Sequence, residues 1–239
     1  MRLQSGLFQS PFAHRGLWSP GQAAENSLAA IELACQMGYG AEFDVQLSAD
    51  GEPVVFHDET LARMAGIDVT VSSLTVADLA DIPLQGGPDR IPTLAEVLAQ
   101  AAGRSMLLVE LKVDAHVDPV VLAWRTAELL DRYLGPAAVI SFDPSPLAWF
   151  AAERPDRLRG LDAMWQPEDE AEADVEIASQ CDIARPHFLV LEKQAAIGPV
   201  AAAHRLQGRP VIAWTVRSMA EVEIVANRCD NFIFEGFNA

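Results

Sequence analysis

Residues 41–58 read Ala41-Glu42-Phe43-Asp44-Val45-Gln46-Leu47-Ser48-Ala49-Asp50-Gly51-Glu52-Pro53-Val54-Val55-Phe56-His57-Asp58. Two apolar runs, Ala41 to Gln46 and Pro53 to His57, flank Ala49-Asp50-Gly51. That link is too short for a parallel crossover and has the composition of a hairpin turn. Glu42 and Asp44 stand two apart, so a strand projects both from one face. Two carboxylates on one buried face repel unless a cation or a proton intervenes. The stretch therefore predicts strands and a site together.

Working outward, further strand-like runs lie at Phe12 to Arg15, Met106 to Lys112, Ala137 to Phe142, Leu158 to Ala163, His187 to Leu191, Pro210 to Thr215 and Asn231 to Glu235. Helix-length amphipathic stretches separate most of them. One carries Leu28, Ile31 and Cys35 on a single face and stops at Gly38; another opens at Asp118-Pro119 and ends before Gly135-Pro136. Thr93-Leu94-Ala95-Glu96 and Ser218-Met219-Ala220-Glu221 both fit the capping box. Alternating strands and helices favour a parallel sheet. A length of 239 residues suits one (β/α)8 TIM barrel over 1–239, since such barrels use about 250 residues for a single core. Nine strand candidates against eight places leave one peripheral, and the pair within 41–58 is the suspect; the pattern alone does not say which of the two joins the barrel. Residues 58–105 hold only short helical signals and turn residues such as Gly66, Pro83 and Gly86-Gly87-Pro88, and read as a small insertion, either a lid over the barrel mouth or a long connection. The acidic run Glu168-Asp169-Glu170-Ala171-Glu172 reads as the solvated start of a helix.

A formal charge of −17 repels nucleic acid and anionic lipid, so neither is an expected partner. An anionic substrate then needs a locally positive site, for which a divalent cation is a natural source. Cys35, Cys181 and Cys229 form no C-x-x-C pair and read as buried thiols. With no signal-like start and no run of about 18 apolar residues, the expectation is a cytoplasmic protein without stable membrane insertion. The pattern is silent on oligomeric state.

Glu110 interrupts the apolar run Met106-Leu107-Leu108-Val109, and Lys112 follows on the same face. If the strands share a barrel, their C-terminal ends converge at the mouth, and Glu42, Asp44 and Glu110 can share one ion. Three oxygen donors without a thiol suit Mg²⁺, Ca²⁺ or Mn²⁺. The plainer reading of Glu110 is a structural ion pair with Lys112 or Arg15. His14 and His57 each end a strand, where an imidazole can move protons near neutrality. Arg15 and Lys112 carry charge suited to phosphate oxygens. His116, His187 and His204 read as surface or packing residues.

The ordered series Ala13-His14-Arg15-Gly16, Glu25-Asn26-Ser27, Glu42-Phe43-Asp44-Val45, Asp50-Gly51, Val54-Val55-Phe56-His57-Asp58, Ile91-Pro92-Thr93-Leu94 and Glu110-Leu111-Lys112 resembles the glycerophosphodiester phosphodiesterase family. A weaker match continues through Ser141-Phe142 and Trp214-Thr215-Val216. The resemblance implies a barrel enzyme that uses a divalent cation to cleave small-molecule glycerophosphodiesters to sn-glycerol 3-phosphate and an alcohol. It implies metal ligation by Glu42, Asp44 and Glu110, acid and base roles for His14 and His57, phosphate binding by Arg15 and Lys112, and Trp214 on the glycerol side of the pocket. Two departures stand out: Ala24 where many relatives have proline, and Phe234-Glu235-Gly236 where many have Thr-Asp and then proline. Water and the substrate's own neighbouring hydroxyl both remain open as nucleophile. The rival readings are a lysophospholipase D-type activity on the same groups and a non-catalytic phosphodiester-binding barrel. Neither G-x-x-x-x-G-K-[ST] nor G-x-S-x-G occurs, which argues against a P-loop enzyme and a serine hydrolase.

Overall fold

The structure is a computed structural model that describes residues 9–85, 87–164 and 170–239. Its strands are β1 (Phe12–Ala13), β2 (Gly40–Leu47), β3 (Pro53–Val55), β4 (Leu107–Leu111), β5 (Ala137–Ser141), β6 (Arg159–Ala163), β7 (Phe188–Glu192), β8 (Val211–Val216) and β9 (Asn231–Phe234). Its helices are α1 (Leu28–Gln36), α2 (Ala62–Ala65), α3 (Val76–Ala80), α4 (Leu94–Ala101), α5 (Pro119–Leu130), α6 (Pro144–Glu153), α7 (Glu170–Ala184), α8 (Lys193–Ala196), α9 (Pro199–Leu206) and α10 (Met219–Val225).

Eight strands pair in parallel in the order β1, β2, β4, β5, β6, β7, β8, β9, and β9 returns to β1, which closes the (β/α)8 barrel. The surplus strand is β3. It pairs antiparallel with β2 (Val45 with Val55, Leu47 with Pro53) and lies outside the ring, so Ala41 to Gln46 is the barrel member of the suspect pair.

Period-two alternation sorts the strand residues. Ala41, Phe43, Val45, Leu107, Val109, Val139, Leu161, Leu189, Val211 and Ala213 face the helices in one large core. Phe12, Met106, Leu108, Ala138, Ile140, Leu158, Phe188, Val190, Ile212 and Ile233 fill the barrel interior. Two glycines make that interior possible. A Cβ on Gly40 would overlap the Phe12 ring, and one on Gly160 would overlap the Phe188 ring, so the missing side chains are the space in which two phenylalanines sit.

Helix starts follow the capping chemistry. Thr93 and Glu96 form the reciprocal box on α4, and Asp118 accepts from Val120 and Val121 at α5. At α10 only half of the expected box forms: Ser218 accepts from Glu221 N, while the Glu221 carboxylate turns to the Arg217 amide and Lys193. A further box, Thr75 with Asp78, caps α3. Between β3 and α4, Phe56, Leu61, Met64, Val71, Leu79, Leu84 and Ile91 bury a small cluster of their own with Ala24 and Val54. Of the acidic run, Glu168 and Asp169 lie outside the described residues, and α7 begins at Glu170. Cys35, Cys181 and Cys229 are free and buried. Among the described residues no helix is long and apolar enough to cross a membrane.

Adding a methyl at the floor of the barrel tests this packing. Gly160→Ala should lower unfolding stability by about 1–3 kcal/mol, read from urea midpoints, and Phe188→Leu in the same background should recover part of the loss.

Candidate active site at the barrel mouth

The chain leaves β1 through a turn that only some sequences tolerate. Arg15 and Gly16 both adopt positive φ (57° and 77°), and a Cβ on Gly16 would meet Ala30 at 2.8 Å. That turn aims the Arg15 backbone N–H at Glu42 Oε2 (3.0 Å) and is held by Asn26 N–H donating to Arg15 O (2.8 Å). The Asn26 amide also donates to Asp44 Oδ2 at 2.7 Å. Asn26, Glu42 and Asp44 are all buried, so the Glu-Asn motif packs directly beneath the carboxylates of β2.

β2 and β4 are neighbours with Asp44 level with Glu110, and their inward faces bring Glu42, Asp44 and Glu110 together. One carboxylate oxygen from each lies within 4.8 Å of the others, all three residues being buried. Lys112 Nζ sits 2.6 Å from Glu110 Oε1 and 3.1 Å from Asp44 Oδ1. The plain ion pair of Glu110 with Lys112 is therefore real, and it forms part of the cluster rather than an alternative to it. Arg15 pairs instead with Glu25 (2.7 Å) and approaches Asp44 (3.6 Å).

Desolvation dominates the acidities. Burial, reinforced by Asp44 and Glu110, holds the Glu42 carboxyl well above its usual range, and burial pushes Glu110 up to about 7 against the pull of Lys112. Asp44 is as buried, yet Lys112, His57, Arg15 and the Asn26 amide overcome that penalty and keep it below its ordinary value. Among the described residues Glu42 Oε1 and Asp44 Oδ1 accept no hydrogen bond, although Lys112 Nζ lies 3.1 Å from the latter. Buried oxygens left in this state fit a hard divalent cation, which would take up the excess charge and fill the open acceptor positions.

The two histidines flank the cluster and share a design. His14 Nδ1 lies 2.8 Å from Glu235 Oε2, with Nε2 turned toward Glu42 (4.0 Å). His57 Nδ1 lies 2.7 Å from Asp58 Oδ1. A carboxylate on Nδ1 orients each ring and leaves Nε2 for the cavity. Burial, with Lys112 and Arg15 nearby, lowers the proton affinity of His57 despite Asp44. Arg63 of α2 links these parts: it binds Asp58 through Nε (2.6 Å) and Glu25 through both terminal nitrogens (2.9 and 2.6 Å).

All of this opens into a cavity of about 230 Å³ lined by His14, Arg15, Glu42, His57, Glu110, Lys112, Phe142, Asp162, Trp214 and Arg217. Every expected site residue is thus at the mouth, Asp44 lying just behind the lining. Trp214 stands edge-on to Phe142 with ring centroids 5.6 Å apart. His116, His187 and His204 line no part of this cavity: His116 is exposed beside Glu59, His187 accepts from the Arg159 amide, and His204 is buried against Arg209. Three residues take a place at the site that the sequence did not assign to them. Glu235 was read as a departure of the last strand, whereas it orients His14. Arg63 carried no signal. Asp162 sits in an apolar run on the same face as Gly160, the period-two signal that exposed Glu42 and Asp44. It is 4% exposed, and burial together with Glu110 and Glu42 holds its carboxyl well above the usual range. The Trp214 indole N–H approaches the Asp162 carboxyl as a hydrogen-bond donor and offsets a little of that shift, although among the described residues neither Trp214 Nε1 nor Asp162 Oδ1 reaches full hydrogen-bond geometry.

The profile of the glycerophosphoryl diester phosphodiesterase family matches residues 14–230. A glycerophosphodiester phosphodiesterase of Caldanaerobacter subterraneus is 36% identical over 108 residues, 42% of this chain and 44% of the relative. The human lysophospholipase D GDPD1 is 32% identical over 145 residues, 55% of this chain and 44% of the relative. The match thus spans about half the length of the curated relatives. Among solved structures, an Oleispira antarctica phosphodiesterase, determined with the product sn-glycerol-3-phosphate, superposes with a TM-score of 0.81 at 25% identity, covering 95% of this chain and 93% of its own.

The acidities predict a pH-dependent response to cations. Glu110 and Glu42 hold protons in the folded state that the unfolded chain releases near about pH 4.3. Their contribution to stability is present below that value and is lost as the pH rises through about 7 for Glu110. Asp44 has the opposite sign and acts only at lower pH. In cation-free protein the melting temperature should therefore fall between about pH 5 and about pH 8. Mg²⁺, Ca²⁺ or Mn²⁺ should raise it more at the upper end, and Glu110→Gln should flatten both trends in scanning calorimetry.

Proposed function

The chain belongs to the glycerophosphoryl diester phosphodiesterase family, and from that membership and the geometry of the mouth we propose that it hydrolyses glycerophosphodiesters to sn-glycerol 3-phosphate and an alcohol. The observation that carries the reading is the convergence, in one cavity, of two carboxylate-backed imidazoles on a buried cluster of three acids and a lysine. The product held by the Oleispira relative supports the same substrate class.

Glu42, Asp44 and Glu110 would hold a divalent cation, Mg²⁺, Ca²⁺ or Mn²⁺, which when bound supplies Lewis-acid polarisation of a phosphoryl oxygen. Arg15, steered by Glu25, and Lys112, steered by Glu110 and Asp44, present positive charge to the remaining phosphate oxygens. His57, whose proton affinity is lowered, starts neutral and takes the proton of the attacking hydroxyl at Nε2. His14, with Glu235 behind Nδ1, protonates the departing alcohol oxygen. Asp58 and Glu235 keep each ring from rotating away and stabilise the imidazolium as it forms. Water and the neighbouring glycerol hydroxyl are equivalent to His57 as proton donors. A non-catalytic barrel would be expected to lack one of these groups, and all of them are in place.

His14→Ala and His57→Ala should each lower kcat on glycerophosphodiesters by about 10²–10⁴-fold, with unchanged melting temperature and unchanged cation response. Near-wild-type turnover by either variant would remove that residue from the mechanism.

A further inference from the structure

We propose that Arg63 is a positioning residue for the hydrolysis: its guanidinium, seated between the Asp58 and Glu25 carboxylates, holds the His57 ring and the Arg15 guanidinium in register with one another. The inference rests on the hydrolase reading above and concerns a side chain that stands outside the lining of the catalytic cavity.

A guanidinium carries five N–H donors in a planar fork, and Arg63 commits all five inside the protein. Nε donates to Asp58 Oδ2 (2.6 Å), and Nη2 donates to Asp58 Oδ1 (3.0 Å) and to Glu25 Oε1 (2.6 Å). Nη1 donates to Glu25 Oε2 (2.9 Å) and to Met64 Sδ (3.2 Å). No donor is left for a phosphate oxygen, so Arg63 acts through its partners and not on the substrate. Each carboxylate passes the geometry on. Asp58 Oδ1 also lies 2.7 Å from His57 Nδ1, and Glu25 Oε1 also accepts from Arg15 Nη1 at 2.7 Å. The two oxygens that share Nη2 are therefore the same two that touch the histidine and the arginine, and one nitrogen joins the proton carrier to the phosphate-binding cation. Burial works against both carboxylates, yet the bonds from Arg63 overcome it and keep Glu25 and Asp58 below their ordinary pKa values. The stretch between β3 and α4 that carries Arg63 is fastened beside Glu25 a second time, because Ala24 N–H donates to Asp89 Oδ2 at 2.8 Å. Proline, which many relatives have at this position, has no such proton. The alanine thus adds a tie between that stretch and the first barrel loop.

The Arg63 side chain is 46% exposed, so its place is open to a small cation from solvent. On glycerol 3-phosphocholine, Arg63→Ala should lower kcat by about 100-fold, the effect of a shift of about 1 Å in a reacting group. KM should stay near the wild-type value, because Arg63 offers the substrate no donor. Guanidinium chloride at non-denaturing concentration should restore much of the lost kcat, saturably. Arg63→Lys keeps the charge and a melting temperature close to that of the wild type, and so serves should the alanine variant not fold. An ammonium is a point charge that cannot span two carboxylates as the fork does, so kcat of the lysine variant should stay at least about 10-fold low, and guanidinium should not help it. Wild-type kcat in the lysine variant would overturn the positioning role, as would a folded alanine variant whose kcat is unchanged or stays low whatever guanidinium is added. Inactivity of the wild type on every diester would instead overturn the hydrolase reading, and this inference with it.

Discussion

Three carboxylates buried at one end of a parallel barrel set the terms for the rest of the mouth. Glu42, Asp44 and Glu110 are each nearly inaccessible, and their repulsion would be prohibitive without compensation. Lys112 reaches into the cluster, Arg15 approaches from the β1 turn, and Asn26 and the Arg15 amide donate to the oxygens that remain. The barrel makes this arrangement affordable. Its outer face buries a continuous apolar core against the helices, and its floor is filled by Phe12 and Phe188, so the polar strain is confined to the layer that faces solvent and substrate.

The same constraint explains why the histidines carry partners. An imidazole beside so many charges would be drawn toward whichever carboxylate lay nearest. Glu235 and Asp58 each occupy Nδ1 and so fix the ring by a contact from the side away from the cluster. Arg63 then ties Asp58 to Glu25, and Glu25 to Arg15, so the ring of His57 and the guanidinium of Arg15 are held by one run of ion pairs that crosses from the small cluster after β3 to the first barrel loop.

What the chain's order of residues disclosed, and what it hid, divides along physical lines. Strand periodicity reveals which face a residue occupies, so Glu42, Asp44 and Glu110 could be grouped before any coordinates. It does not reveal which neighbour a strand pairs with, which is why the ninth strand candidate stayed unresolved until β3 was seen to run antiparallel at the margin. Helix caps are local and were legible, except at α10, where Glu221 had a competing partner in Lys193 at the start of α8. Glu235 and Arg63 act through contacts 221 and 38 residues away, a distance over which spacing carries no information. Asp162 is different, since its period-two signal was present and its strand was read only as apolar filling.

The antiparallel strand β3 deserves a last thought for where it puts the chemistry. His57 rides on a segment that hangs from the barrel by one edge, whereas His14 and all three acids are rooted in the closed ring or its first turn. One of the two imidazoles we propose as proton carriers is therefore an attachment, and the other is foundation. Such a division lets the outer segment be lengthened, trimmed or exchanged over generations without breaking any rung of the cylinder, so the base we propose can be re-aimed at a different nucleophile while the acid cluster stays as it is.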